Sequence, residues 1–135
     1  MAEEADIKAL FHRYMQMWNA RDFSGMAALF TEPTVSIGPD GPTVIADNSA
    51  RPESLETRFE RLETEGFDHT EIEAVDVQLA DENTARAYLR SVRRLRRDGS
   101  PIDELDALYI LSRIDGDWRL SVAMAGAPGW RDGGA

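Results

Sequence analysis

The hydrophobic positions of the chain change period near Gly66, which separates a helical first half from a strand-rich second half. Ile7, Leu10, Phe11, Tyr14, Met17 and Trp18 recur at three- and four-residue steps, with His12, Arg13 and Gln16 between them, so the spacing predicts a first helix with one buried face. Asn19 to Asp22 break the pattern and Asp22 is placed to cap a successor. Phe23, Met26, Ala27, Leu29 and Phe30 then predict a short second helix that stops before Pro33. Thr34 to Ile37 read as a strand, Gly38 to Pro42 as a turn, and Thr43 to Asn48 as a weak strand or extended loop. A third helix is expected from Ser49, with Pro52 in its first turn, Leu55, Phe59 and Leu62 on its apolar face, and Gly66 as its terminator.

Beyond Gly66 the period is 2. Four strands are predicted, at about 68–79, 85–97, 102–114 and 118–124, joined by turn residues into an antiparallel meander. In the first of them the apolar phase slips between Ile72/Ala74 and Val75/Val77/Leu79, the mark of a β-bulge that bends the sheet. If Asp98 and Gly99 form a two-residue turn, Leu95 faces Ile102, Arg93 faces Glu104, Ser91 faces Asp106 and Leu89 faces Leu108. This register puts a polar island, Arg93, Ser91, Glu104 and Asp106, on a largely apolar face. Such a group is costly in a sealed core and useful in the wall of a cavity. The opposite face carries Arg94 against Asp103 together with Tyr88, Val92, Leu105, Ala107, Tyr109 and Leu111. Apolar residues on both faces require cover on both, which predicts a homodimer through the sheet.

The length of 135 residues fits one domain, read as 1–126, with a Gly-rich flexible tail at 127–135 in which Trp130 can act as a local pin. No cysteine is present, so disulfides, thiolate zinc sites and cysteine nucleophiles are excluded, and a reducing cytoplasm is the expected location. A net charge of -10 argues against a nucleic-acid partner, which would require a positive field. The acidic start lacks the features of a signal peptide and no apolar run reaches the length of a membrane span, so no membrane partner is expected. Glu71, Glu73 and Asp76 alternate along a strand and read as water-facing; with two histidines in the chain, neither a metal nor a cofactor is predicted. The arginines at 86, 90, 93, 94, 96 and 97 read as an anion-binding strip or as cross-strand ion pairs, and the acidic neighbours of Arg93 and Arg94 favour the pairs.

The order of elements, with "YMQMWNARDFSGMAALFTEPTVSI" near the start and "DGDWRLSVAM" near the end, resembles the nuclear transport factor 2-like superfamily and its SnoaL-like and ketosteroid isomerase-like domains. The resemblance covers nearly the whole chain. It implies an α+β cone in which a strongly curved antiparallel sheet packs against three N-terminal helices and encloses a pocket, in a protein that is usually dimeric. By similarity to ketosteroid isomerase, Tyr14 and a protonated Asp106 would form an oxyanion hole. The position of that enzyme's general base is Ile37 here, which leaves His69 or Asp40 as the candidate base. Trp18, Phe30, Phe59, Ser91, Arg93, Glu104, Leu108 and Trp118 are the expected substrate-contacting residues, although the aromatic ones among them are equally simple as core. Three functions follow from this reading. One is a cofactor-independent isomerase, dehydratase or cyclase acting on a small hydrophobic molecule through an oxyanion. The others are a non-catalytic binding module for a small apolar ligand and a dimeric protein-interaction domain.

Overall fold

In the computed structural model, which describes residues 2–132, the first apolar stripe forms helix α1 (Ala2–Asn19), with Ile7, Leu10, Phe11, Tyr14 and Trp18 all buried. The Asp22 side chain accepts the Gly25 N–H at 3.0 Å and caps α2 (Phe23–Ala27), as its position predicts. This second helix is shorter than expected. Phe30 belongs instead to strand β1 (Phe30–Gly38), because its segment pairs with a late strand: the Leu120 N–H donates to the Leu29 carbonyl at 2.8 Å and Phe30 lies opposite Leu120. Strand β2 (Gly41–Ile45) returns along β1. Helix α3 (Arg51–Glu63) follows, with Pro52 in its first turn and Leu55, Phe59 and Leu62 buried. Gly66 has φ 89°, a left-handed conformation that favours glycine, and it ends the helical half.

Strands β3 (Phe67–Asp81), β4 (Thr84–Arg96), β5 (Pro101–Ile114) and β6 (Asp117–Gly126) form the predicted antiparallel meander. β1 then adds to β6 in parallel, giving a six-stranded sheet of order β2-β1-β6-β5-β4-β3. The protein is thus α+β, with three helices and a mostly antiparallel sheet. The sheet is not strongly curled, unlike the cone expected from the resemblance. Its helix side is filled by an aromatic cluster in which Trp18 lies 4.9 Å from Phe59, and Phe59 lies 5.1 Å from Phe67, ring centre to ring centre. Burial of each such ring contributes roughly 1.5–3 kcal/mol. No helix among the described residues is long and apolar enough to cross a membrane.

The β4–β5 hairpin keeps its expected register where Arg93 pairs with Glu104 and Arg94 with Asp103; nearer the turn, which spans residues 97–100 rather than Asp98 and Gly99 alone, Leu95 faces Pro101 instead of Ile102. A bulge between Leu89 and Val92 shifts the pairing by one, so that Leu89 faces Ala107 and Tyr88 faces Leu108. Ser91 sits in the bulge at φ 54°. The phase slip read in β3 is present, but β3 and β4 pass through it in step. Ile72 pairs with Val92 and Val75 with Leu89, and both β3 residues pack on the core, so the extra residue is felt against β5.

This bulge also decides which face is covered. Leu89, Val92, Ala107 and Leu111 point to the helices, so Tyr88, Asp106, Leu108 and Ile110 point away from them. The polar island therefore lies on the uncovered face, where the Ser91 hydroxyl donates to Glu104 at 2.5 Å and Arg93 approaches Glu71 at 3.6 Å. Residues 127–132 return over the same face. The Gly129 N–H donates to Asp106 Oδ2 at 2.9 Å, and the Trp130 ring packs 5.5 Å from that of Tyr88, making Trp130 the pin its position allowed. Residues 133–135 of the expected tail lie outside the described residues.

Candidate functional site

Between α1, α3 and the sheet lies a cavity with two lobes of about 300 Å³ each, which share Tyr14, Ser36, Leu55, Arg58, Tyr109 and Ala123. Helical spacing brings Tyr14 and Trp18 to one side of it, and strand alternation brings Leu105, Ala107 and Tyr109 to another. Across the bulge, Leu89 and Val92 also turn inward. The inner lobe is walled by Trp18, Met26, Leu89, Val92, Leu105 and Met124. The Trp18 Nε1–H donates to Thr70 Oγ1 at 3.0 Å, so the indole is fixed without using a group that a ligand would need.

At the junction of the lobes the Tyr14 and Tyr109 rings meet edge to face, 6.3 Å between centres. Burial raises the Tyr14 pKa above its usual value; the Tyr109 hydroxyl beside it and the charges of Arg58, Arg51 and Arg94 only partly offset this. Tyr109 is pushed well up by burial, with the Tyr14 hydroxyl beside it adding to the rise. Both phenols are neutral at pH 7. Each neutral phenol carries one hydroxyl proton that it can donate to an oxygen in the cavity.

The outer lobe is bounded by α3, where Arg51, Ser54, Leu55 and Arg58 fall on one helical face. The Arg51 guanidinium lies 3.8 Å over the centre of the Phe30 ring, and its Nε–H donates to Asn48 Oδ1 at 2.9 Å. Asn48 is itself held, donating its side-chain N–H to the Phe30 carbonyl at 3.1 Å and its backbone N–H to Glu32 at 2.6 Å. Nη2 of Arg51 is buried and has no hydrogen-bond partner among the described residues. Burial lowers the pKa of this guanidinium, which nonetheless stays charged at any physiological pH.

Of the expected catalytic and substrate-contacting residues, Tyr14, Trp18 and Phe30 line the cavity and the others do not, while Ile37, at the position of the isomerase base, lines the inner lobe. Asp106 is on the far face of the sheet, buried at 3% exposure. It accepts the Tyr88 hydroxyl at 2.6 Å, the Ser91 N–H at 2.8 Å and the Gly129 N–H at 2.9 Å. Burial alone would raise its pKa, but these bonds and the nearby Arg90 outweigh burial and leave it below the usual carboxylate value. The expected protonated acid is therefore an ionised one, turned away from Tyr14. His69 sits between Asp68 (2.9 Å) and Glu71 (3.0 Å), whose bonds raise its pKa, Glu71 first. Asp40 is exposed in the β1–β2 turn. Ser91, Arg93, Glu104 and Leu108 belong to the uncovered face, while Phe59 and Trp118 are core. Neither lobe has a carboxylate or imidazole among its described lining residues, and no group of three or more His, Asp or Glu among the described residues could hold a metal ion.

Three helices against a six-stranded sheet, with a cavity between them, define the nuclear transport factor 2-like class. Residues 3–128 match the family described as NTF2-like protein (DUF6841), and the chain belongs to that family. No curated protein sequence matches it. Among solved structures it is similar to Aln2 from a Streptomyces species, with TM-score 0.75, 18% identity, and coverage of 93% of this chain and 91% of that one. An NTF2-like protein of unknown function from Pseudomonas putida gives TM-score 0.74 at 22% identity, over 94% and 87% of the two chains. An NTF2-like protein with a cystatin-like fold from Novosphingobium aromaticivorans gives TM-score 0.73 at 15% identity, over 90% and 79%. At these identities the likeness is one of fold.

Proposed function

We propose that the chain is a non-catalytic binding module that takes a small, mainly apolar molecule into the cavity between α1, α3 and the sheet. The observation that carries this reading is the chemistry of the wall: apolar side chains, the Tyr14–Tyr109 hydroxyl pair, and no carboxylate or imidazole among the described lining residues. An isomerase or dehydratase needs a base within hydrogen-bond reach of the proton it removes. The titratable groups lining the cavity are tyrosines with raised pKa and arginines, and none of these accepts a proton near neutral pH. A neutral hydroxyl pair instead suits the recognition of a ligand oxygen, and the volume suits a small ligand.

The uncovered face supports a homodimer. Leu108, Ile110, Val122 and Val35 lie there half-buried in adjacent strands, and a second copy would remove them from water. Sedimentation of wild type and Ile110→Glu tests this, a monomeric wild type being the adverse result.

The binding reading is tested with Nile red, a neutral apolar dye. Saturable one-to-one binding by the wild type, lost when Ala107→Trp fills the inner lobe of a still-folded protein, is the expected result. Absence of saturable binding by the wild type overturns it.

A further inference from the structure

We propose that the ligand of this cavity is an organic acid, an apolar body carrying one carboxylate, and that Arg51 and Arg58 receive the carboxylate in the outer lobe. The inference rests on the binding reading above and specifies its ligand class.

The outer lobe collects donors and lacks acceptor charge. Arg51 is anchored through Nε to Asn48 and stacked on Phe30, while Nη2 is buried with no hydrogen-bond partner among the described residues. Buried donors are almost always paired, more so when charged, so Nη2, closed off and unpartnered among the described residues, leaves Arg51 short of an acceptor, and Arg51 is itself a lining residue of the outer lobe. Arg58, one face-repeat along α3 and more exposed, lines both lobes. Among the described residues, neither Arg51 nor Arg58 forms an ion pair with a carboxylate, although the chain has ten surplus negative charges. Arg94, the third cation on the wall, is already engaged by Asp103 at 3.1 Å. Ser54 and the Tyr14 and Tyr109 hydroxyls add neutral donors to the same space.

The adjoining inner lobe sets the remainder of the ligand. Its Trp18, Met26, Leu89, Val92 and Leu105 surface offers little to a free inorganic anion and suits a hydrocarbon or aryl body. A planar carboxylate matches the planar fork of a guanidinium, and two arginines with hydroxyl donors suffice for a single negative charge.

The test compares octanoate with octan-1-ol, equal in chain length and different in charge, by calorimetry on the full chain, with Nile red as the control for the cavity. Expected is octanoate binding tighter than octanol by about tenfold or more, with Arg51→Met and Arg58→Gln each weakening octanoate several-fold and leaving octanol within about twofold. Inorganic phosphate alone is expected not to compete. Octanol binding as tightly as octanoate, or octanoate affinity unmoved in both variants, overturns the inference while saturable Nile red binding keeps the cavity reading. Failure of Nile red, octanol and octanoate together overturns both. If Arg51→Met does not fold, the wild-type comparison and the exposed Arg58→Gln variant still decide.

Discussion

The Tyr88 hydroxyl donates to Asp106 at 2.6 Å on one face of the sheet, while Tyr14 meets Tyr109 on the other. The two tyrosine-centred groups are separated by the thickness of the sheet. The first ties the C-terminal segment to β4 and β5, and the second lies in the cavity.

Asp106→Asn is expected to lower stability by ~1–3 kcal/mol at pH 7 and to leave Nile red binding unchanged. Three donors converge on the carboxylate, and an amide offers one oxygen while turning an N–H₂ toward at least one of them. Because the folded pKa is depressed, the stabilisation is present above the unfolded value of about 3.9 and is lost as pH falls through the folded one. Urea midpoints of wild type and variant should therefore converge as pH drops below about 4. A neutral substitution at pH 7 contradicts the account.

His69 should titrate above the free-histidine value of about 6.5 by NMR, and Glu71→Gln should bring it down. Any stability it lends is present below that value and fades as pH rises through the folded pKa. His69→Ala is expected to leave ligand affinity unchanged, since the ring lies outside the cavity wall; a loss of affinity would return His69 to the site.

Tyr14 and Tyr109 should resist ionisation in the folded protein beyond the usual value near 10, read as tyrosinate absorbance. Tyr109→Phe should push Tyr14 higher still, because the donor that favours its phenolate is gone. Raised folded values mean that the associated stability holds below about pH 10 and drains away as pH climbs through them. Ordinary titration of Tyr14 and Tyr109 would show that the pair is not buried as described.

Thr70→Val leaves the Trp18 indole N–H without its acceptor in a buried setting, at an expected cost of ~1–3 kcal/mol in urea unfolding. Unchanged stability would mean that Trp18 has another partner.

The helices and the meander were legible because their information is local: the stripe from Ile7 to Trp18, the Asp22 cap and the period-2 strands each report on near neighbours. The covered face of the hairpin was not. Both faces of β4 and β5 alternate acceptably, and the bulge that decides between them sits at Ser91, whose positive φ carries no Gly or Asn signal. One residue of slip was enough to put Asp106 and Leu108 on the wrong side. Tyr14, Trp18 and Phe30 were found at the cavity because an apolar stripe and a cavity wall draw on the same residues. Arg51 escaped notice: its partners Phe30 and Asn48 come from a strand and a loop, and only the spacing of Arg51, Ser54 and Arg58 hinted at a polar face on α3.

The parallel junction of β1 with β6 imposes an order of events on a chain emerging from the ribosome. Phe30–Gly38 has no central partner until Asp117–Gly126 has been synthesised, so β1 and β2 must wait through the making of the whole meander. Ser36 is carried on β1, and Tyr109 is flanked by β6. The cavity is therefore complete only once β6 is in place, since β6 is the strand that joins β1, with Ser36, to β5, with Tyr109.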